Sequence, residues 1–316
     1  MKRSDEAQNL WRAKMLSPNL EQGATALALE TLTSTGSSVT VEELNREHEA
    51  EVLAFLAKRP VHTVFLAGFI LDNGLASRLN RGTFYSCRDG QGNLEGVALI
   101  GHFILVEARS ERALAAFARL AQGCQSTHMI LGETERVQKF WSYFAQADRT
   151  PRHICRELLL EQQVAIEPLE PVRGLRQATP DDLKIVLPVY AEGVFEESGL
   201  NPLEADPAGF HQRWLRRIQQ GRVWVWTENG RLIFNADIVS ETPDAIYLEG
   251  IYVNPDERGK GYGVRCLSQL SRGLLEKVKS LCLFLNARNK QVVVFYEKAG
   301  FKLSAYYDTI FLHTKN

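Results

Sequence analysis

The sequence predicts a mixed α/β protein made of two similar units in tandem, each with a central mixed β-sheet flanked by helices. Two observations support this prediction. The chain of 316 residues is long enough for two domains and longer than most single domains. Strand-like and helix-like segments also follow the same order in both halves of the chain. We place an N-terminal extension at 1–38, a first domain at 39–165, a linker at 166–173 and a second domain at 174–316.

The first half opens with the pattern of a helix capping box, Thr40-Val41-Glu42-Glu43. It predicts a helix that runs from Thr40 to about Ala57, and the extension before it is compatible with a short helix over Leu10–Met15. Turn residues at 89–93 predict a hairpin. The other elements expected in this half are strands at 84–87, 94–100, 103–106 and 128–131, and helices near 114–121 and 135–144.

The second half begins with Thr179-Pro180-Asp181-Asp182, which predicts a helix start because proline is tolerated in a first turn. That helix should end near Glu197, and Glu228-Asn229-Gly230 is typical of a hairpin turn. The other predicted elements are a helix at 207–220, strands at 223–227, 232–239, 246–253 and 281–285, helices at 264–278 and 290–299, and an extended run at 303–312.

A glycine-rich loop at 253–263 joins the predicted strand 246–253 to the predicted helix 264–278. The N-terminus of a helix offers free backbone N–H groups and a favourable dipole to an anion. Glycines let a phosphate come close to the backbone because they carry no Cβ. The loop therefore predicts a site for a phosphate-bearing cofactor. The residues expected to contact it are Arg258, Gly259, Lys260, Gly261, Tyr262 and Gly263.

The spacing of this loop decides between cofactor classes. It lacks the Gly-x4-Gly-Lys-Ser/Thr pattern of a P-loop and the G-x-G-x-x-G pattern of dinucleotide-binding folds. It fits R-x-x-G-x-G at Arg258, Gly261 and Gly263. This pattern resembles the acetyl-CoA pyrophosphate loop of the GCN5-related N-acetyltransferase (GNAT) superfamily. An ordinary tight turn between a strand and a helix is the alternative interpretation.

A second motif follows at 286–301 and resembles the other signature of the superfamily, N-x-x-N-x-x-A-x-x-x-Y-x-x-x-G-F. It departs from that signature at Val292, where alanine is usual. With the loop, the resemblance covers about residues 174–312. The matching residues are Asn286, Asn289, Tyr296, Gly300 and Phe301.

The resemblance implies that acetyl-CoA binds as a co-substrate, without a metal. Its pantetheine arm would enter the gap between strands 246–253 and 281–285, where its amides would pair with backbone near Ile251 and Val253. Asn289 would steady the pantetheine. Asparagine also suits the N-cap of the helix that follows, so both roles stay open for this residue.

The implied reaction is direct attack of a primary amine on the thioester in a ternary complex. Glu249 is the candidate base, because a carboxylate inside an apolar strand is costly to bury without a task or a partner. A salt bridge to a neighbouring strand is the alternative. Strict alternation places Tyr247, Glu249, Ile251 and Val253 on one strand face. Tyr296 is the candidate acid for the leaving thiolate, or else a core aromatic residue.

The acceptor would bind beside the first two helices of the second half. Acids there would suit a cationic amine, although such acids are more often a solvated helix face. The acceptor could be a small-molecule amine or a protein amine, and the oligomeric state is open. The residues considered are Glu192, Glu196, Glu197, the loop 198–202, Asn235 and Asp237.

The first domain resembles a degenerate copy of the second. Its predicted strand end at Val106 runs into 107–111, which contains no glycine, so no loop can wrap a pyrophosphate. Trp141 stands where the second copy has its tyrosine, and an indole cannot protonate a thiolate. We therefore expect one catalytic domain.

Composition excludes several other classes. A net charge of −1 argues against general binding to nucleic acid or to a membrane surface. No apolar run is long enough for a membrane span, acidic residues interrupt any signal peptide, and a cytoplasmic location is expected. The five cysteines form no C-x-x-C pair, so neither zinc nor a disulfide framework is indicated.

The sequence thus favours an N-acetyltransferase. The alternative is a regulatory or scaffold protein that binds acyl-CoA without catalysis. Retention of Glu249 and Tyr296 favours the enzyme. The acceptor and the length of the acyl chain are left open.

Overall fold

The computed structural model describes residues 31–32, 39–145, 150–167, 170–198 and 201–313, without the side chains of 31–32 and 196–198. The helix expected over Leu10–Met15 lies outside these residues. The described chain divides into two compact units, and the N-terminal one is not continuous in sequence: it combines 31–157 with 305–313, while the C-terminal unit comprises 158–304. The domain borders drawn from the sequence remain predictions.

The N-terminal unit has a mixed sheet in the order β1-β2-β3-β4-β5-β6-β13-β7. Strands β5 and β6 pair in parallel, while the pairs from β1 to β5 and the pair β6–β13 are antiparallel. The helices over 111–122 and 134–144 pack on this sheet. The elements are β1 Thr31–Leu32, β2 Val39–Glu43, α1 Glu49–Leu56, α2 Val64–Asn73, β3 Gly82–Arg88, β4 Leu94–Gly101, β5 Phe103–Ala108, α3 Glu111–Gln122, β6 Met129–Glu133, α4 Thr134–Phe144, β7 Pro151–Gln162 and β13 Lys302–Leu312.

The helix predicted to start at Thr40 is wrong. Val39–Glu43 forms a strand, in which the buried Val41 lies opposite Cys87 of β3. Asn45 then caps a short 3₁₀ turn, and α1 begins only at Glu49. The capping-box pattern was outweighed by pairing with a distant strand, which local sequence does not reveal.

The last strand, β13, completes the sheet of the N-terminal unit. Tyr307 pairs with Glu133 and Phe311 with Met129, both on β6. On its other side, the Thr309 hydroxyl donates to the Glu157 carboxylate on β7. The extended run predicted at 303–312 is confirmed as a strand. Its alternation could not show which sheet it would join.

The C-terminal unit has a sheet in the order β7-β12-β11-β10-β9-β8, to which β7 contributes its residues from Leu158 onward. Strands β11 and β12 are parallel, and β8 to β11 are antiparallel. The remaining elements are β8 Arg176–Gln177, α5 Leu183–Ser198, α6 Pro202–Ala205, α7 Pro207–Gln219, β9 Val223–Glu228, β10 Arg231–Glu241, β11 Ala245–Val253, α8 Tyr262–Leu275, β12 Ser280–Asn286 and α9 Lys290–Lys298.

Helices cover both faces of this sheet. On one face, α8 and α9 pack on a core that includes Ile246 and Leu248 of β11. On the other face, α5 and α7 bury Tyr190, Phe210 and Trp214. A molecule could therefore reach β11 either from the face covered by α8 and α9 or from the face covered by α5 and α7.

The predicted hairpin between β9 and β10 is confirmed. Asn229 and Gly230 both have positive φ, 50° and 73°, and Arg231 pairs with Glu228. Positive φ at both central residues is the geometry of a type I′ turn, which asparagine followed by glycine favours. No helix in the described ranges is long and apolar enough to cross a membrane.

Candidate active site

The two parallel strands of the C-terminal unit separate near their carboxyl ends. Pairing joins Ala245 to Ser280 and continues to Tyr247 and Cys282. Beyond that pair β11 extends to Val253 and β12 to Asn286, with no further pair between them in the described register. Parallel strands that stop pairing leave a gap between their ends, and an extended chain of amides can enter such a gap.

A β-bulge lies on β11 beside this gap. Asn235 pairs with Tyr252 and Asp237 with Glu249, so two residues of β11, Gly250 and Ile251, stand opposite one residue of β10. The bulge depends on Gly250, whose φ is +66°.

The bulge overturns the strand face predicted by strict alternation. Ile251 and Val253 pack with Leu248 in the core under α8 and α9. Tyr252 packs instead on the cluster under α5 and α7. Glu249 therefore does not share a face with Ile251 and Val253 as predicted, because the extra residue of the bulge shifts the alternation by one.

Glu249 is partly exposed and lies opposite Asp237, which is 2% exposed. Asp237 binds Arg217 on α7, with 2.5 Å between Nη1 and Oδ2. Because α7 covers that face of the sheet, the pair places Glu249 on the side of α5 and α7. Asp237 is therefore a buried acid whose charge is balanced by Arg217, and solvent can reach the neighbouring Glu249.

The glycine loop ends at the N-terminus of α8. Gly259 and Gly261 have φ of +78° and +80°, and Gly261 is the N-cap of the helix. A Cβ built on either glycine would meet no atom within 4 Å. The backbone at both positions therefore faces open space, as an anion site at a helix N-terminus requires.

Gly263 has a different structural reason. A Cβ there would approach Val253 Cγ2 to 2.8 Å and Phe295 Cε2 to 2.9 Å. This glycine allows α8 to pack closely on β11 and α9. Gly263 thus lies on the packed side of the loop, whereas Gly259 and Gly261 face open space.

The basic residues of the loop already have partners within the protein. Arg258 Nε donates to the Val253 carbonyl at 3.1 Å. Lys260 forms an exposed ion pair with Glu257 at 2.7 Å, and the hydrogen bond with that carboxylate raises the pKa of Lys260. Tyr262 packs edge-to-face against Trp226, with ring centroids 5.1 Å apart. An exposed ion pair exchanges partners at little energetic cost, so Lys260 can turn to a phosphate.

Asn289 occupies the N-cap of α9, where its Oδ1 accepts a hydrogen bond from the Val292 amide at 3.2 Å. The backbone N–H of Asn289 donates to the backbone carbonyl of Asn286 at 3.0 Å. The helix-capping role is therefore present. A pantetheine contact would have to use the side-chain nitrogen, and this second role remains a prediction.

Tyr296 lies on α9 in the core under α8 and α9, and it is 9% exposed. The rings of Phe295 and Phe301 meet it edge-to-face, with centroids at 5.0 and 5.9 Å. Ile251 and Val253 pack on the same cluster. The structure thus groups the predicted acid with the predicted pantetheine-binding residues, and it places Glu249 on the opposite face.

The face under α5 and α7 contains residues that the sequence did not single out. The rings of Tyr190 and Trp214 stack with centroids 3.3 Å apart, and Arg217 lies over Trp214 at 5.3 Å. Only the helical spacing of Phe210 and Trp214 on α7 signalled that these aromatic residues would be buried together.

The acids considered for the acceptor differ in exposure. Glu192 is exposed on α5, while Asp237 and Asn235 are buried. The side chains of 196–198 and the whole of residues 199–200 lie outside the described part of the chain. In that described part, no group of three or more histidines, cysteines or acids is placed to hold a metal.

The cysteines near the site are not poised as nucleophiles. Burial raises the pKa of the Cys266 thiol to about 12, and it also raises that of Cys282 on β12. Thiol chemistry requires the thiolate, so neither residue favours a covalent acyl intermediate.

In the N-terminal unit, an ion-pair network joins the ends of the parallel strands β5 and β6. Arg59 bridges Glu107, near the end of β5, and Glu133, at the end of β6, with N–O distances of 3.0 and 2.7 Å. Arg136 adds ion pairs with both acids and donates to the Ala108 carbonyl. The Ser110 side chain caps α3 at once, without an intervening glycine loop.

Comparison with known proteins identifies the type of domain. Residues 219–303 match the family model described as an acetyltransferase (GNAT) domain. No curated protein sequence matches the chain. The C-terminal unit therefore contains a GNAT domain, and the match covers both the glycine loop and the whole of the second motif.

Solved structures share the fold over most of the chain. A GNAT-family acetyltransferase from Colwellia psychrerythraea has a TM-score of 0.56 at 10% identity, covering 87% of this chain and all of its own. A Drosophila protein has a TM-score of 0.62 at 12% identity, with coverages of 87% and 99%. A tandem GNAT protein from the clavulanic acid biosynthesis pathway has a TM-score of 0.55 at 13% identity, with coverages of 88% and 100%. The mixed α/β fold of this chain is thus that of GNAT proteins, including a tandem one.

Proposed function

We propose that the C-terminal unit is an N-acetyltransferase that moves an acetyl group from acetyl-CoA to a primary amine by direct attack in a ternary complex. The observation that carries this proposal is the continuity of the gap between β11 and β12 with an open glycine loop at a helix N-terminus. The gap suits pantetheine and the loop suits a pyrophosphate. The match to a GNAT domain supports the same assignment.

The loop would hold the pyrophosphate through the backbone around Gly259 and Gly261, with Arg258 and Lys260 adding charge. The pantetheine amides would pair with the backbone of Ile251 and Val253 beside the bulge. Asn289 would add a side-chain donor. Together these contacts would bring the thioester to the point where the strands separate.

The amine would approach from the face under α5 and α7, where Glu249 is partly exposed. Glu249, directly or through one water, would take a proton from the ammonium, since an alkyl amine titrates near ~10. The amine nitrogen would then bond to the carbonyl carbon, and the carbon–sulfur bond would break. Tyr296 would protonate the leaving thiolate, and the nitrogen would release its second proton to the tyrosinate, which gives the amide, free CoA and a neutral Tyr296.

Acetyl-CoA binding tests the proposal, measured by calorimetry on wild type, Gly261→Glu and Gly230→Glu. Both glycines have positive φ and open space, at +80° and +73°, so both glutamates bring equal strain and charge. We expect binding by wild type and by Gly230→Glu, and loss of binding in Gly261→Glu. Absence of binding by wild type would overturn the proposal.

A second experiment separates catalysis from binding without chemistry. CoA release is followed with a thiol reagent in the presence of butylamine, putrescine or Nα-acetyllysine. Release that depends on an amine supports the transferase. Acetyl-CoA could instead bind tightly while no CoA is released with these amines or with a wider set of small-molecule and protein amines. That result would favour a regulatory acyl-CoA-binding protein.

A further inference from the structure

We infer that Asn235 is a positioning residue, which holds the bulge of β11 and thereby separates Glu249 from the cofactor side of the strand. The inference rests on the proposed function, because it assigns one face of β11 to the acceptor and the other to acetyl-CoA. It adds a residue that does not itself touch the reacting atoms.

Asn235 is 0% exposed on β10 and lies at the slip in register. Its Nδ2 donates to the Gly250 carbonyl at 3.0 Å and to the Tyr190 hydroxyl at 2.7 Å. A bulge disrupts the backbone ladder locally, and buried carbonyls need a donor. The side chain of Asn235 therefore supplies to Gly250 a bond that the regular ladder cannot.

The second bond explains why the amide is held in this orientation. Tyr190 is buried and stacks on Trp214, so its hydroxyl is fixed by the aromatic cluster under α5 and α7. One hydrogen of the Asn235 side-chain amide is donated to the Tyr190 hydroxyl, so the other hydrogen points to the Gly250 carbonyl. Helix α5 is thus linked to the bulge through two hydrogen bonds of a single side chain.

The bulge matters because of what it separates. In a regular strand Glu249 and Ile251 would share a face. With the bulge, Glu249 pairs with Asp237 on the side of α5 and α7, while Ile251 packs under α8 and α9. A ternary complex needs the acyl donor and the amine on separate surfaces, and the bulge provides them from one strand.

The variants Asn235→Asp and Asn235→Ala test this role, with Tyr190→Phe as the matched control. Asp keeps the shape of Asn but turns the donor into an oxygen that faces the Gly250 carbonyl. Ala removes the side chain and covers the case in which a buried aspartate prevents folding. Tyr190→Phe removes the second bond and leaves the bond to Gly250 in place.

Three quantities are measured on the full-length protein after thermal unfolding has shown that each variant is folded. They are amide hydrogen exchange of residues 249–253, the dissociation constant of acetyl-CoA, and the steady-state kinetics with whichever of butylamine, putrescine and Nα-acetyllysine reacts fastest. The kinetics separate positioning from stability, because a purely structural residue would lower the melting temperature without changing kcat of the folded enzyme.

We expect faster exchange confined to 249–253, weaker acetyl-CoA binding, and kcat reduced by about 10–100-fold with the KM for the amine little changed, as for a misplaced reacting group. Tyr190→Phe should change all three quantities less than the Asn235 variants do, because the bond to Gly250 is kept and only the bond that orients the amide is lost. Unchanged exchange and unchanged kcat in a folded Asn235 variant would overturn the inference. If wild type binds no acetyl-CoA, the proposed function fails, while the exchange measurement still decides whether Asn235 holds the bulge.

Discussion

Glu249 and Asp237 face each other across the antiparallel pair of β10 and β11, and Arg217 binds Asp237 at 2.5 Å. Two carboxylates in register repel each other unless one is balanced. Arg217 balances the buried one. The partly exposed Glu249 is then the acid that a substrate can approach, which is the reason to test it first as the base.

Glu249→Gln should lower kcat by about 10²–10⁴-fold and leave acetyl-CoA binding unchanged, because general base catalysis contributes that much. Without the base only the free amine reacts, so the residual rate should rise with pH toward the amine pKa near ~10. The pH dependence of CoA release measures this. Glu241→Gln, an exposed acid at the end of β10, is the control. Equal activity of both variants would remove Glu249 from the mechanism.

Tyr296→Phe should lower kcat by about 10²-fold or more, because the thiolate loses its proton donor while the ring keeps its shape and its packing against Phe295 and Phe301. Acetyl-CoA affinity should be maintained. Single-turnover rates of CoA release give the comparison. Tyr306→Phe, which is exposed on β13, is the matched control. A wild-type rate in Tyr296→Phe would show that this tyrosine only packs.

Acetyl-CoA should bind with a stoichiometry of one per chain. In the N-terminal unit, Arg59 and Arg136 join the ends of β5 and β6 through Glu107 and Glu133, so pantetheine would have to break a network of partly buried ion pairs. Calorimetry on wild type and on Gly261→Glu measures this. A second site in wild type, or one that survives in the variant, would show that the N-terminal unit also binds the cofactor.

Asp182→Asn should lower the free energy of unfolding at pH 7 by about 0.5–2 kcal/mol, as for loss of a helix cap. Hydrogen bonds from Arg176 hold the pKa of Asp182 at about 2, below its usual 3.8, and the same carboxylate accepts from Thr179. A lowered folded-state pKa stabilises the fold above the unfolded value and stops doing so as the pH falls through about 2.

Urea unfolding at pH 7, 5, 3 and 2 therefore should show a difference between wild type and Asp182→Asn that shrinks below about pH 4. Asp181→Asn is the control, because Asp181 is the exposed neighbour in the same turn. A difference that stays constant down to pH 2 would mean that packing of the side chain, and not its charge, stabilises the helix start.

Local features of the fold and of the site could be predicted from the sequence because each depends on neighbouring residues. Asn229-Gly230 specifies its turn through positive φ, and Gly261 begins a helix directly after a strand. Asn289 was expected at a helix start and is found there. The bulge at Gly250 was missed, although a glycine inside a strand is a signal for one.

By itself, the sequence determined the mixed α/β class, the order of most helices and strands, and the glycine loop at a helix N-terminus. Those properties follow from spacing, side-chain periodicity and backbone preference over a few residues. Only the tertiary structure decided that Val39–Glu43 is a strand, that β13 joins the N-terminal sheet, and that Glu249 and Ile251 point to opposite faces. Each of these depends on hydrogen bonds to residues far away in the chain, and a shift of one residue in such pairing reverses the face of every side chain that follows.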